Sequence, residues 1–513
     1  MTFDKVPHQS DFTGLDYDAT TQEPARGVVV EAVDSGNQVL DTDVTDASGG
    51  YSVSVAASIS VQIRVRSQME QSTGATWDIE VVDNTNSNAI YLLTGSLTDS
   101  GTADSTRNLN AGSGWGGSGY TSTRAAAPFA ILDGIYDAVT EIAAVDADVV
   151  FPDLQIFWSV NNVPMDGDVS QGEIGTSSYT RTNGVPTIRI LGDENNDTDE
   201  YDTHVVVHEF GHYFEDQLAR SDSPGGSHSL TNRLDSRLAF GEGWGNAFSA
   251  MVLDDPIYRD SGRVRQASGL VLFSVEDDLT NVPSTSINNE GWFNEASIQQ
   301  ILYDIYDSAD DGADTISAGF APIYAAFTDP SYVDNVDFTT MFTFANRVRN
   351  EVSVNTGVLD AMLTAEDING SGARGIGETN TGGIASILPL YKTVTQGGGA
   401  TTVCSTSTNG DTNKHGVREF ISVTVNNSGS VTMTATEVSG PMGTTDPDFY
   451  IWETGRLFTR DIFGQNRLAE STVDGSETWT GTLNAGTYAI ELFDANHVES
   501  TSSGDSCFSF SVS

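Results

Sequence analysis

His208-Glu209-Phe210-Gly211-His212 sets two imidazoles at positions i and i+4, and Glu242 follows thirty residues beyond the second histidine. On a helix that spacing points both rings the same way, about one turn apart, so they can bind one metal ion while Glu209 reaches the metal's open position. The later stretch Gly241-Glu242-Gly-Trp-Gly-Asn246-Ala opens an apolar helical stripe with a carboxylate, a third ligand for the same ion. Three protein ligands leave a fourth position to water, as catalytic zinc requires, whereas structural zinc favours four closed ligands. The expected chemistry is hydrolysis by a zinc-activated water, with Glu209 as general base. By chance, a His-Glu-x-x-His is expected fewer than about once in a hundred such histidine-poor chains.

His-Glu-x-x-His followed at this distance by Glu resembles the gluzincins, the clan that includes thermolysin and fungalysin. The resemblance implies that His208, His212 and Glu242 are the zinc ligands and that Glu209 takes a proton from water and returns it to the leaving amine. In the clan an Asp often stands four residues after the ligand Glu and orients the first His. Here that position is Asn246, an amide that accepts from an imidazole N–H without adding charge. The clan also stabilises the oxyanion with a His or Tyr outside the motif. His228, in Gly225-Gly-Ser-His-Ser229, is the nearest candidate, followed by Tyr303 and Tyr306. His204, one turn before His208, either supports the cleft or packs within the helix, since a fourth protein ligand would close the open position.

These residues need elements to hold them. Asp202 to Arg220 reads as the active helix with Asp202 as N-cap, and Phe240 to Leu253 as a second helix carrying Glu242 near its start. Arg124 to Val145 has an apolar stripe through Ala127, Ile131, Ile135, Val139 and Ile142, which predicts a helix. Strands are expected at Leu154–Trp158, Glu173–Thr180 and Thr187–Leu191, as in the upper lobe of a zinc peptidase, where an edge strand can hold an extended peptide. Helical spacing at Glu295–Asp307, Gly319–Phe327 and Phe338–Asn350 suggests a mainly α lower lobe ending near Tyr391, with Gly397-Gly-Gly399 as a natural boundary.

Both flanks read as β. Val28–Val33, Tyr51–Val55, Val61–Val65 and Trp77–Val82 alternate apolar and polar residues, with a turn at Asp46-Ala-Ser-Gly-Gly50. This order resembles the transthyretin-like modules of secreted bacterial proteins, which implies a spacer or docking role. Asp99 to Thr123 is too poor in apolar residues to form a core and reads as a linker, unless Trp115 and Tyr120 pin it across the next domain. From Cys404, short alternating runs at Glu419–Val425, Ser430–Thr436, Asp448–Trp452, Thr478–Leu483, Gly486–Leu492 and Phe508–Val512 predict a sandwich. Asp446-Pro-Asp448-Phe-Tyr-Ile and Thr482-Leu-Asn-Ala-Gly-Thr-Tyr-Ala-Ile-Glu491 resemble the pre-peptidase C-terminal domain of secreted bacterial proteases, which implies a role in secretion, substrate attachment or maturation. The two cysteines, Cys404 and Cys507, stand near the ends of that segment and suggest one disulfide in an oxidising compartment, or two unrelated thiols.

In 513 residues, 23 Lys plus Arg stand against 72 Asp plus Glu, a formal net charge of −49 spread along the chain. Such a surface repels phosphate, which argues against nucleic acid and anionic membranes and suits a solvated shell or the recruitment of cations. No run of 18 apolar residues occurs, so no membrane-spanning helix is expected, and Met1-Thr2-Phe3-Asp4-Lys5 lacks a signal-peptide pattern. Asp193-Glu-Asn-Asn-Asp197-Thr-Asp199-Glu200 and Asp307 to Asp314 offer closely spaced oxygen ligands for Ca²⁺, as do Asp446 and Asp448, or are simply solvated acidic loops.

The expected architecture is multidomain α+β. An N-terminal β-sandwich (1–98), a linker (99–123), a two-lobed zincin-type metallopeptidase domain (124–396) and a C-terminal β-sandwich (397–513) follow one another. The expected function is that of a secreted bacterial Zn²⁺ endopeptidase, monomeric, acting on proteins or peptides, with structural Ca²⁺. An exopeptidase needs a group to hold a chain terminus, and no motif identifies one. A non-catalytic adhesin working through its flanking sandwiches is the alternative from a different class.

Overall fold

The computed structural model describes residues 1–266, 268–276, 289–308, 315–440, 445–452, 467–471, 476–501 and 503–513. The expected acidic run Asp310 to Asp314 lies outside them. The described residues form two compact units of mixed α and β structure, one built from Met1–Gln217 and Phe248–Ser274, the other from Leu218–Ala247 and the chain from 289 onward.

The first unit is organised on a mixed sheet. Seven of its ten strands form the main path: β1 (Val28–Asp34), β2 (Val39–Val44), β3 (Ser60–Gln71) and β4 (Trp77–Asp83), then, after helix α1 (Ala127–Val145), β5 (Leu154–Trp158), β6 (Ser178–Thr182) and β7 (Val185–Ile190). Their order is β6-β7-β5-β4-β3-β1-β2. The sheet therefore runs across the expected boundary between residues 1–98 and 124–396. β4 pairs in parallel with β5, Ile79 opposite Leu154 and Val81 opposite Ile156, and α1 makes the crossover that parallel neighbours require. The apolar stripe of α1 is buried at Ile131, Ile135, Val139 and Ile142.

Tyr51–Val55 is not a strand. Its side chains alternate between half-buried (Tyr51, Val53, Val55) and exposed (Ser52, Ser54), but the Ser52 and Ser54 amides donate at 2.6 Å to the carboxylates of Asp43 and Asp41 in place of the carbonyls of a neighbouring strand. The expected linker is tied down. Trp115 stacks on Tyr17 at 3.8 Å, the Tyr17 and Tyr120 hydroxyls are 2.8 Å apart, and Asn110–Ala111 pairs in parallel with Thr2–Phe3.

A short hairpin, β8 (Gly192–Asp193) and β9 (Asp197–Thr198), leads into α2 (Thr203–Gln217). Three consecutive valines, Val205 to Val207, are mediocre helix formers, but all three are buried, so packing outweighs propensity. Gly134 of α1 permits a close approach to the first turn of α2, since a Cβ there would lie 2.8 Å from Thr203 Cγ2. Helix α3 (Ser236–Leu253) is continuous and belongs to both units, its residues through Ala247 to the second and those from Phe248 to the first. In the first unit Phe248 stacks on Phe210 and Phe214 of α2. The hairpin β10 (Ile257–Gly262) and β11 (Ser268–Ser274) follows.

In the second unit the first part of α3 packs its Phe240 and Trp244 against Phe327 of α5 (Phe320–Thr328), and Phe240 against Phe344 of α6 (Met341–Val348). Helix α4 (Glu295–Tyr306) precedes these and α7 (Thr356–Ala365) follows. The remainder is a two-sheet β structure. One sheet holds β12 (Tyr391–Thr395), β14 (Arg418–Val425), β16 (Pro447–Trp452), β17 (Arg467–Ser471) and β19 (Gly486–Asp494). The other holds β13 (Thr401–Thr406), β15 (Gly429–Ser439), β18 (Glu477–Leu483) and β20 (Asp505–Val512). Val423, Val431, Met433, Phe449, Ile490 and Phe510 form part of the core. Cys404 and Cys507 face each other on β13 and β20 and form the expected disulfide, Cα to Cα 4.0 Å.

Candidate metal centre

On α2 the His208 and His212 Nε2 atoms are 3.1 Å apart, with the ring planes at 82°. Two nitrogens bound at about 2.05 Å to one tetrahedral zinc stand about 3.3 Å from each other. The pair thus has the separation the ion requires, and the donor set is the borderline nitrogen chemistry zinc prefers. His208 is 5% exposed and Glu209 beside it 8%. The ring of Tyr258, on β10, lies 6.1 Å from that of His208, a neighbour that no spacing rule in the sequence announces.

His204 packs within the fold. Its Nε2 contacts the Asp255 carbonyl oxygen at 3.1 Å, and burial pushes the imidazole down to about 4, so it is neutral and donates there. Asp202, expected as an N-cap, gives its carboxylate to the Ser261 amide at 3.1 Å and to the Ser261 hydroxyl at 2.9 Å.

In the second unit Glu242 stands on the first half of α3, 7% exposed. Gly243 next to it is required by close packing: a Cβ there would meet Ile298 at 2.7 Å and the Glu295 carbonyl oxygen at 2.8 Å. The start of α4 is thereby held against α3. Asn294 caps α4 by accepting from the Ala296 and Ser297 amides, and its own amide donates to the Leu230 and Asn232 carbonyls at 2.9 and 3.2 Å. Those bonds fix the loop that carries His228, as do donations from Asn413 to Gly225 O and from Lys414 to Ser227 O.

His228 sits between two carboxylates, Nδ1 at 2.7 Å from Glu295 Oε2 and Nε2 at 3.2 Å from Glu242 Oε2. The Nδ1 contact is a hydrogen bond, and Nε2 faces the Glu242 carboxylate. Glu295 escaped the sequence reading; its only signal was Asn294-Glu295 opening a helical stripe. Asn246 Nδ2 donates to Gln299 Oε1 at 2.9 Å. Tyr303 is buried on α4, its ring 5.8 Å from that of Tyr306.

Two groups of carboxylates lie elsewhere. Asp197, Asp199 and Asp260 gather in the first unit, and Asp446, Asp448 and Glu477 in the second, each group with ligand oxygens within 4.8 Å of one another. From the acidic run before α2, Glu200 is diverted to an ion pair with Arg124, and Asp193 to the hairpin turn, where it accepts from the Asn195 amide.

Residues 171–365 match the family model of the mycolysin C-terminal domain, a stretch that contains His208, Glu209, His212, His228, Glu242 and Asn246. No curated protein matches the chain. Among solved structures, the pre-peptidase C-terminal domain of collagenase from Bacillus anthracis is 11% identical, covering 24% of this chain and 94% of its own, with a TM-score of 0.17. PliG of Aeromonas hydrophila, a periplasmic inhibitor of g-type lysozyme, is 17% identical, covering 24% and 97%, at 0.15. CorA, a surface-associated copper-binding protein of Methylomicrobium album BG8, is 11% identical, covering 24% and 96%, at 0.17. At such scores these likenesses carry no argument about the fold; the mycolysin match covers the candidate residues.

Proposed function

We propose that the chain is a zinc-dependent endopeptidase in which His208, His212 and Glu242 hold the ion. The observation that carries the reading is the His208–His212 pair, Nε2 to Nε2 3.1 Å on one helix face, with the buried Glu209 carboxylate adjoining. Glu242, thirty residues beyond His212 and at the opening of an apolar helical stripe, is the third ligand by its spacing. The match to a protease-associated domain over 171–365 supports a peptidase acting on protein substrates.

A zinc ion bound there supplies Lewis-acid polarisation of the scissile carbonyl and acidifies water. Glu209 accepts the proton of the attacking water and delivers it to the leaving amine nitrogen. His228, held through Nδ1 by Glu295, would present its Nε2–H, which faces Glu242 in the free protein, toward the oxygen on which negative charge develops. Asn246, fixed by Gln299, offers its amide oxygen to an imidazole N–H and holds that ring's tautomer. The disulfide and the net charge of −49 support a secreted protein, and no helix among the described residues is long and apolar enough to cross a membrane.

Casein cleavage by wild type and by Glu209→Gln, with zinc content measured on both, tests this reading. The variant retains about one zinc per chain and loses about 10²–10⁴-fold in kcat/KM. Undiminished cleavage by Glu209→Gln would overturn the mechanism, and absence of zinc from the wild type would overturn the metal assignment.

A further inference from the structure

Asp197 on β9, Asp199 just beyond it and Asp260 on β10 each present a carboxylate oxygen within 4.8 Å of the others. Two ligands of a single Ca²⁺, bound at about 2.4 Å, can stand up to about 4.8 Å apart. Asp199 is 3% exposed. Its Oδ2 accepts from the Ser177 hydroxyl, but its Oδ1 is buried without a hydrogen-bond partner, and so are Oδ1 of Asp197 and Oδ1 of Asp260. Three orphaned acceptors of one sign pointing together are costly in a fold unless a cation sits among them.

The side chains of Arg263 and Arg265 near the group are exposed, and three other basic side chains face carboxylates outside it. Arg124 pairs with Glu200, Arg259 with Asp255 and His8 with Asp202. The backbone also clamps the two loops together, with the Arg263 amide donating to the Asn196 carbonyl at 2.6 Å and the Arg265 amide to that of Glu194 at 3.1 Å. We propose that Asp197, Asp199 and Asp260 form a Ca²⁺ site that staples the hairpin before α2 to β10. The donors are all hard oxygens with no His or Cys among them, which favours an alkaline-earth ion over zinc. Burial first, and then repulsion from Asp202 and other nearby aspartates, push the Asp197 and Asp260 carboxyls up in a metal-free fold, and a divalent cation reverses that effect.

The site is independent of the proposed zinc centre, and its test needs no proteolysis. Full-length protein, stripped of metals and then reloaded with zinc, is titrated with CaCl₂ by calorimetry, and its Tm is recorded with and without Ca²⁺. Wild type is expected to bind Ca²⁺ with a rise in Tm. Asp199→Asn and Asp260→Asn are expected to weaken binding at least tenfold and lose the rise. Without Ca²⁺, Asp199→Asn is expected to melt at or above wild type because a repelling charge is gone, which verifies that it folds. Asp448→Asn, in the other carboxylate group, is expected to leave the effect in place. A wild type indifferent to Ca²⁺, an equal response to Mg²⁺, or undiminished binding in both Asn variants overturns the proposal.

Discussion

Arg237 at the start of α3 and Glu491 on β19 form a two-pronged ion pair, Nη1 to Oε2 at 3.0 Å and Nη2 to Oε1 at 3.1 Å, with both side chains buried. Arg418 adds a second guanidinium to Glu491 at 2.6 Å. Burial alone would raise the Glu491 carboxyl, but the two arginines outweigh it and hold it at about 2. An unfolded glutamate titrates near about 4.3, so the stabilisation is fully present above that pH and is lost as pH falls through about 2. Glu491→Gln should cost about 3 kcal/mol at neutral pH, because it strands the Arg418 guanidinium while Arg237 keeps Asp235. Urea midpoints measured from pH 7 to 2 should show a shallower acid decline in the variant than in wild type.

Removing the charge of Glu295 should disable His228 without displacing zinc. Glu295→Gln is expected to lower kcat by up to about 10²-fold, with KM and zinc content near wild type. His228→Gln should do the same, and the double variant should be little worse than either single one, because the pair acts as a unit. Additive losses in steady-state kinetics would dissolve the link.

Gly243→Ala tests the close approach of α3 and α4. The new methyl would lie 2.8 Å from the backbone oxygen of Glu295, which cannot swing aside as a side-chain end can. A destabilisation of about 1–3 kcal/mol is expected by chemical denaturation, together with reduced proteolysis, because the same shift moves the carboxylate that holds His228.

The Cys404–Cys507 bond closes a sequence separation of 103 residues. In the chain-entropy account a loop of that length is worth about 4–5 kcal/mol. Cys404→Ser with Cys507→Ser should lower the unfolding free energy of the second unit by about that amount. Reduction of wild type should mimic the variant, with trypsin cleavage appearing first in the β strands of 401–512.

The legible parts were local ones. The i, i+4 histidines, the apolar stripe of Ala127–Val145 and the alternation of Arg418–Val425 each repeat within a few residues, and each emerged as the expected helix or strand. What stayed hidden depends on partners far along the chain. Asp260 joins Asp197 and Asp199 from sixty residues away, and Glu295 meets His228 across 67, with no motif to advertise either. The parallel pairing of β4 with β5 is likewise invisible, since an alternating strand does not say which neighbour it will bond. Tyr51–Val55 alternates in burial like a strand, yet its Ser52 and Ser54 amides bond to aspartate side chains instead of a neighbouring strand, which side-chain pattern cannot reveal.

The strand Tyr391–Thr395 lies upstream of the glycine run at 397–399 yet runs parallel to Arg418–Val425 as a member of the same sheet, and the Gly397 amide donates to the Val512 carbonyl at 2.8 Å. A protease that cut at those glycines would therefore leave an edge strand of the sandwich on the other fragment. The product would be a nicked protein whose two pieces stay interleaved, so maturation by shedding a tail has no clean place to occur there.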